Sequence, residues 1–441
     1  MPLPRPSRAP LPRPAAGPFL PRRARTRPAL LAAGCAALLA LTAAVPSAAA
    51  PVRPDPAAAG SVVLDWYDTT ARTVAATAAP TQITNSRTWA VGWIAAARAA
   101  REAPGGGPAR GRFQDAAVAS AVHDVLVAVA PSRKDDLDTA LAASLAGIPD
   151  GAAEDRGVAA GARQARAVLA ARAGDGLDPA SSNAPFPVPP AAPGVWQPTP
   201  DGYAPAIQYG NRLARPFLLE RADQFRPGPP PALDSDRYRA DLEEVRAYGA
   251  ADSAVRTARQ SETANFWYSG SLTLYTDALR VAVARSHGSS ADRAALLALF
   301  HAASVDTQIA TSDGKYTYLR WRPVTAIRTG AIGTDPAWRP LHNTPAHPDY
   351  PSGHATYAGA AQAVLDALAG PVTEPFDLTS PTAPGVHRAY TGWAQLTRDN
   401  VDARVYSGIH SRSADEAGAR LGDAVGRYAL RHADRLLSGR L

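Results

Sequence analysis

The sequence predicts an all-α helical bundle from about residue 60 to the end. Three observations carry that expectation. Apolar residues from Val62 onward recur mostly at helical spacing, period-2 strand patterns are almost absent, and no clean internal repeat interrupts that pattern; the single cysteine, Cys35, separately means that stability must rest on core size. With 441 residues the chain can bury a large core, as one domain or as two or three smaller ones.

Residues 1–50 read as an export leader. A basic stretch runs to Arg27, an apolar stretch from Ala29 to Val45, and Ser47-Ala48-Ala49-Ala50 supplies small residues for cleavage. An uncleaved anchor is the alternative, because the apolar stretch is near the lower limit for a spanning helix. Arg22-Arg23 raises twin-arginine export. Cleavage would release a secreted protein with no stable membrane insertion. The leader also removes a nucleic-acid reading of the net charge of +7. It holds seven arginines and no acid, and without them 39 basic residues face 39 acidic ones. Met1 is the only methionine, so the mature chain lacks readily oxidised sulfur. That suits an oxidant-producing enzyme, but an alanine- and arginine-rich composition explains it equally well.

The helices follow in order. Asn85 or Ser86 is a candidate cap for a helix through Ala100, Phe113 to Ala130 is apolar on most faces, and Pro131-Ser132 leads into another helix. Two proline-rich breaks follow, Ser181–Pro205 and Phe225–Ser235. Phe186, Trp196 and Tyr203 suggest segments laid over a helical body, with linkers as the alternative. Helical spacing resumes over Asp252–Trp267, Leu272–Ser286 and Ser290 to about Trp321, with Asp252 and Ser290 as candidate caps.

Three elements carry chemistry. Lys315 and Arg322 stand seven apart, just before Pro323. On one helix they would lie within about 20° of a common face and roughly 10 Å apart along it, with Pro323 ending or kinking the helix. Pro351-Ser352-Gly353-His354 runs into the helical pattern Ala355–Leu368. A small-residue turn there aims backbone N–H groups and a positive helix end at an anion, Ser352 adds a hydroxyl, Gly353 permits close approach, and His354 can move a proton. Arg404 and His410 stand six apart, roughly 120° on an unbroken helix, so a break at Gly408 is needed to bring both to one place. Each element has a bland alternative: a solvated face, an N-cap with a space-filling histidine, a surface arginine with a loop histidine. Together they form a cage for a tetrahedral oxyanion, in which each close cation is worth a few kcal/mol at an effective dielectric of about 20, before desolvation. No carboxylate-and-histidine cluster has zinc-site spacing.

These elements resemble the signature of the type 2 phosphatidic acid phosphatase and vanadium haloperoxidase superfamily: Lys, six residues, Arg-Pro; Pro-Ser-Gly-His; Arg, five residues, His. Trp321–Arg328, His347–Ala355, Pro193–Pro200 and Asn265–Trp267 resemble the soluble haloperoxidase branch. The resemblance spans roughly residues 60 to 440 and absorbs both proline-rich breaks. The expected organisation is a signal peptide at 1–50, a short linker at 51–60 and a single helical domain at 61–441, with the anion site within 312–415.

The resemblance implies vanadate as cofactor, with phosphate able to occupy the same site. It implies that His410 bonds vanadium, that Lys315, Arg322, Ser352, Gly353 and Arg404 hold the vanadate oxygens, and that His354 is the acid–base residue. It implies hydrogen peroxide, a halide and a small organic acceptor as partners, with vanadium acting as a Lewis acid and Lys315 polarising bound peroxide. His347 stands where the bromide-oxidising type is similar to this chain and the chloride-oxidising type has an aromatic residue, which leans to bromide. Two departures stand out. Ser312 replaces a common tryptophan three before Lys315, and Asp415 follows His410 by five residues where four is commoner. The alternative is an exported acid phosphatase, with His410 attacking phosphorus. The extensive helical surface is compatible with a homodimer.

Overall fold

The computed structural model describes residues 61–439, so the leader and linker lie outside the described residues. Fifteen α-helices make up the described chain. The first set is α1 (Val62–Thr77), α2 (Gln82–Arg101), α3 (Pro108–Val129), α4 (Lys134–Ala146), α5 (Ala152–Ala171), α6 (Pro179–Ser182) and α7 (Asp236–Tyr248). Then come α8 (Ala258–Phe266), α9 (Ser271–Arg285), α10 (Ser290–Tyr318), α11 (Pro323–Thr329) and α12 (Gly353–Leu368). The last are α13 (Trp393–Tyr406), α14 (Arg412–Arg431) and α15 (Ala433–Leu437). A hairpin of β1 (Phe376–Leu378) and β2 (Arg388–Tyr390) pairs antiparallel with Phe376 opposite Tyr390. Three-residue strands are too short for alternation to announce them. Among the described residues no helix is long and apolar enough to cross a membrane.

Helix α10 is the longest element and packs against α2 on one side and α12 and α14 on another. Its start is a capping box: Ser289 accepts from the Asp292 amide, and Asp292 reaches back to the Ser289 amide. The cap is thus Ser289 and not Ser290. For α8 the cap is Thr257, boxed with Gln260, and not Asp252; residues 252–257 form a turn in which Ser253 accepts from the amides of Val255 and Arg256. Helix α2 begins three or four residues before Asn85 and Ser86, after Thr81.

Two helix pairs are seated by missing side chains. Between α3 and α5, a Cβ on Gly157 would stand 2.5 Å from the Phe113 carbonyl oxygen, and one on Gly161 would stand 2.7 Å from that of Ala117. Between α12 and α14, Gly418, Gly422 and Gly426 repeat at four-residue spacing; a Cβ on Gly418 would lie 2.6 Å from Ser352 O and one on Gly422 1.9 Å from Thr356 O. Such backbone approach is open only to glycine.

Both proline-rich breaks lie against the helical body. Trp196 is fully buried, and its amide donates to Leu319 O at 2.6 Å, while the Trp321 amide donates to Gly194 O at 2.9 Å. Asp306 of α10 accepts from the amides of Phe217, Leu218 and Leu219 at 2.6–2.9 Å, which ties down the chain between the two breaks. Arg212 and Arg226 both reach Asp313, one turn before the end of α10 closes.

Candidate active site

Lys315 and Arg322 do not share a helix. Helix α10 stops at Tyr318, Leu319 takes a left-handed turn (φ 49°), and the chain runs extended beside Gly194–Trp196, with Arg320 bridged to Val195. Arg322 is then the residue preceding α11, and Pro323 opens that helix where its missing N–H costs nothing. The proline-rich segment aims the second cation by drawing the chain out of α10. No glycine or proline at 319 announces that turn.

One tripeptide, His347-Pro348-Asp349, buttresses three site groups. Lys315 Nζ donates to Pro348 O at 2.6 Å and Asp349 O at 3.1 Å. Arg322 Nε donates to His347 O at 2.6 Å, and its Nη2 lies 2.9 Å from His347 Nδ1. Asp349 Oδ1 lies 2.6 Å from His410 Nδ1. Since guanidinium only donates, His347 Nδ1 accepts. His347 is therefore locked against Arg322.

Ser352 precedes α12, which no side chain caps, and its hydroxyl is buried without a hydrogen-bond partner. Gly353 opens the helix beside Lys315, whose Cε would be 4.0 Å from a Cβ placed there. Gly314 lets the Tyr350–Ser352 turn approach α10, since a Cβ on it would lie 2.7 Å from Pro351 Cδ. His354 Nε2 lies 3.1 Å from Ser269 O; a carbonyl only accepts, so Nε2 carries hydrogen and Nδ1 is left as the basic nitrogen. Gly353 and His354 are half-buried, whereas Lys315, Arg322, Ser352, Arg404 and His410 are at most 1% exposed, so the site opens at the His354 side.

The expected break after Arg404 is present. Helix α13 ends at Tyr406, and Gly408 turns at φ 77° against Gly249 and Pro340, leaving His410 just before α14. Arg404 Nη1 donates to Trp267 O at 3.1 Å, and its Nε has no partner. Arg322 Nη1 lies 3.2 Å from His410 Nε2 and donates to Ile409 O. Backbone carbonyls at Trp267 and Ser269 thus hold Arg404 and His354, contributions invisible in side-chain patterns.

The electrostatics are those of a buried, positively charged cluster. Burial pushes the Arg322 and Arg404 guanidiniums down to about 10, and pushes the Lys315 ammonium well below its ordinary range, with Arg322 next in effect. Burial likewise lowers His410, with Arg322, Lys315 and Arg404 adding to the effect, and lowers His354, with Arg404 next. Asp349 is already engaged by His410 and by Ser411 Oγ at 2.7 Å. Asp415 is fully buried, burial drives its carboxyl well above the usual range, and neither oxygen closes a hydrogen bond. Asp415 therefore does not partner His410. Ser312 donates its hydroxyl to Gln208 O at 2.7 Å, tying α10 to a loop where a larger ring is common.

The sequence elements thus converge: His410 meets Arg322, Lys315 meets the start of α12, and Arg404 and His354 share one carbonyl-bearing segment. What sequence reasoning missed is Asp349. Its signal was a carboxylate three residues before Ser352, inside a stretch otherwise composed for burial.

Residues 295–439, which contain every cage residue, match the family described as the VCPO second helical-bundle domain. A vanadium chloroperoxidase from Curvularia inaequalis is 29% identical over 187 residues, a match that takes in 31% of this chain and only 30% of that protein. The crystal structure of a bacterial vanadium-dependent iodoperoxidase has a TM-score of 0.69 at 23% identity, covering 87% of this chain and 97% of that one. An apo-type bacterial vanadium-dependent chloroperoxidase has a TM-score of 0.61 at 16% identity, over 82% and 96% of the two chains. The structural likenesses are likenesses of fold. Fold and cage define an all-α protein in which Lys315, Arg322, Arg404 and His410 are buried together. Over residues 295–439 the chain is similar to the vanadium haloperoxidases.

Proposed function

We propose that the protein is a vanadate-dependent haloperoxidase that oxidises halide with hydrogen peroxide to a hypohalous-acid equivalent, which halogenates small organic acceptors. One observation carries the reading: Lys315, Arg322 and Arg404 are buried about His410, and the carboxylate that touches this cluster, Asp349, is already bonded to His410 and Ser411. Buried charges left in that state cost several kcal/mol each unless an anion joins them. A tetrahedral oxyanion would satisfy the unpartnered Ser352 hydroxyl, the Arg404 Nε and the uncapped start of α12 together. Among the described residues no group of three or more His, Cys, Asp or Glu could hold a bare metal ion, so charge and one histidine are the donor set that fits vanadate.

When bound, vanadate supplies a Lewis acid that activates peroxide without redox change. The chain's own part is derived from its geometry. His410 Nε2 offers a lone pair beside Arg322, and the three cations hold negative oxygens. His354, half-buried at the opening and neutral, is placed to take a proton from an incoming peroxide through Nδ1 and return one later. Lys315, fixed by two carbonyls, presents its remaining N–H beside Gly353.

Within halides we assign bromide ahead of chloride, because His347 puts a polar imidazole against Arg322 where an aromatic ring would otherwise sit. The names of the similar structures span iodide and chloride, so they favour neither. The arginine-rich leader supports action outside the cytoplasm. The test is purified protein incubated with orthovanadate, then assayed in parallel for peroxide-dependent bromination, chlorination and phosphate-ester hydrolysis. Bromination that requires vanadate and exceeds chlorination is expected. Hydrolysis that vanadate inhibits, without halogenation, would overturn the reading in favour of a phosphatase.

A further inference from the structure

The acid that the family pattern seats after His410 does not touch it: Asp415 closes no hydrogen bond with either oxygen. A different carboxylate occupies that role from another motif. Asp349 Oδ1 is 2.6 Å from His410 Nδ1, Oδ2 accepts from Ser411 Oγ at 2.7 Å, and the Asp349 amide donates to Arg320 O at 2.9 Å. The side chain is 2% exposed and held at both oxygens and at its backbone. Arg322 Nη1 lies 3.2 Å from His410 Nε2 and 3.4 Å from Nδ1, close to both ring nitrogens and aligned with neither alone. A carboxylate oxygen only accepts, so the 2.6 Å contact with Asp349 requires a hydrogen on Nδ1. The ring proton is then on Nδ1, and Asp349 is its acceptor.

We infer that Asp349 is the positioning residue of the oxyanion site: it fixes the Nδ1–H tautomer and the ring orientation of His410, so that the Nε2 lone pair is presented to the oxyanion. The inference rests on the oxyanion reading of the site and names the residue that prepares it. The same carboxylate backbone accepts from Lys315, so one residue sets the histidine and one cation together. Carboxylates behind a ligating imidazole typically raise anion or metal affinity about 10–100-fold through orientation and tautomer. Ser411 serves twice, accepting from the Ala414 amide at the start of α14 and donating to Asp349, which ties that orientation to the end of the helix.

The experiment uses the full-length protein labelled with 15N-histidine, with the His410 resonances identified by their loss in His410→Ala. Ring-nitrogen shifts report the tautomer, and calorimetry reports affinity for inorganic phosphate and for vanadate. The wild type is expected to show neutral His410 protonated at Nδ1. Asp349→Ala is expected to shift that tautomer and to weaken both anions about 10–100-fold. Asp349→Asn keeps an acceptor oxygen and is expected to recover most of the loss, whereas Asp415→Asn leaves the tautomer unchanged. If Asp349→Ala does not fold, Ser411→Ala replaces it, with a smaller shift in the same direction. An unchanged tautomer with unchanged phosphate affinity in the folded variant overturns the inference. A wild type that binds neither anion overturns the oxyanion reading instead, while the ring-nitrogen shifts still decide whether Asp349 sets the tautomer.

Discussion

Helices α3 and α5 and helices α12 and α14 are joined by the same device, glycines that admit backbone against backbone, yet the two seams serve different ends. Around the first, α2 buries Trp89, Trp93 and a run of alanines, and the stabilisation comes from apolar area removed from water. Around the second, the close approach carries Ser352 and the start of α12 to the buried cations of the cage, at a cost in desolvation that the proposed anion would offset. Tight packing is thus a source of stability in one region and a means of holding an unfavourable charge arrangement in the other.

The largest expected effect tests the apolar side. Trp89→Ala should cost about 3–5 kcal/mol of unfolding free energy in urea, with no change in the vanadate affinity of the folded protein. Next, Arg404→Met should weaken vanadate about 100-fold by calorimetry, on the scale of 2–3 kcal/mol for a buried charge contact. In the same variant the anion-free protein should be no less stable than wild type, because one of three like buried charges is gone. A drop in stability together with intact binding would reverse the comparison.

A pH series sharpens it. His301 sits in the apolar half, stacked on Trp89, with neither ring nitrogen bonded, and burial lowers it to about 3. Below about pH 6.5 the unfolded chain takes up a proton there that the folded chain refuses, so this residue's contribution to stability falls as pH drops from 6.5 toward 3. Between pH 7 and 4.5 the loss is about 2–3 kcal/mol, and His301→Phe should remove that part of the slope in urea titrations at the two values. The smallest effects come from the glycines. Gly161→Ala and Gly418→Ala should each cost about 1–3 kcal/mol by overpacking, but only Gly418→Ala, whose new methyl would strike Ser352 O, should also weaken anion binding.

The contrast also explains what could be read in advance. The cage residues were legible because charge, hydroxyl and imidazole at set spacing have few other uses, and Gly408 announced the turn that brings His410 home. The helical layout was legible from apolar spacing, although the caps fell at Thr257 and Ser289 and not at Asp252 and Ser290, because several polar residues at each start compete for one amide. The path from Lys315 to Arg322 was misread. Leu319 turns left-handed because Gly194–Trp196 pairs beside it, a contact more than a hundred residues away in sequence that no local preference encodes. Asp349 was passed over for the same reason, since its partner His410 comes from a different motif.

The central claim is that the buried cations and His410 form one oxyanion site. Calorimetric titration of the full-length protein with orthovanadate tests it most directly. One vanadate per chain, displaced by phosphate and weakened about 100-fold in Arg404→Met, is the expected result. Binding that is absent, or that persists unchanged in Arg404→Met, would contradict it.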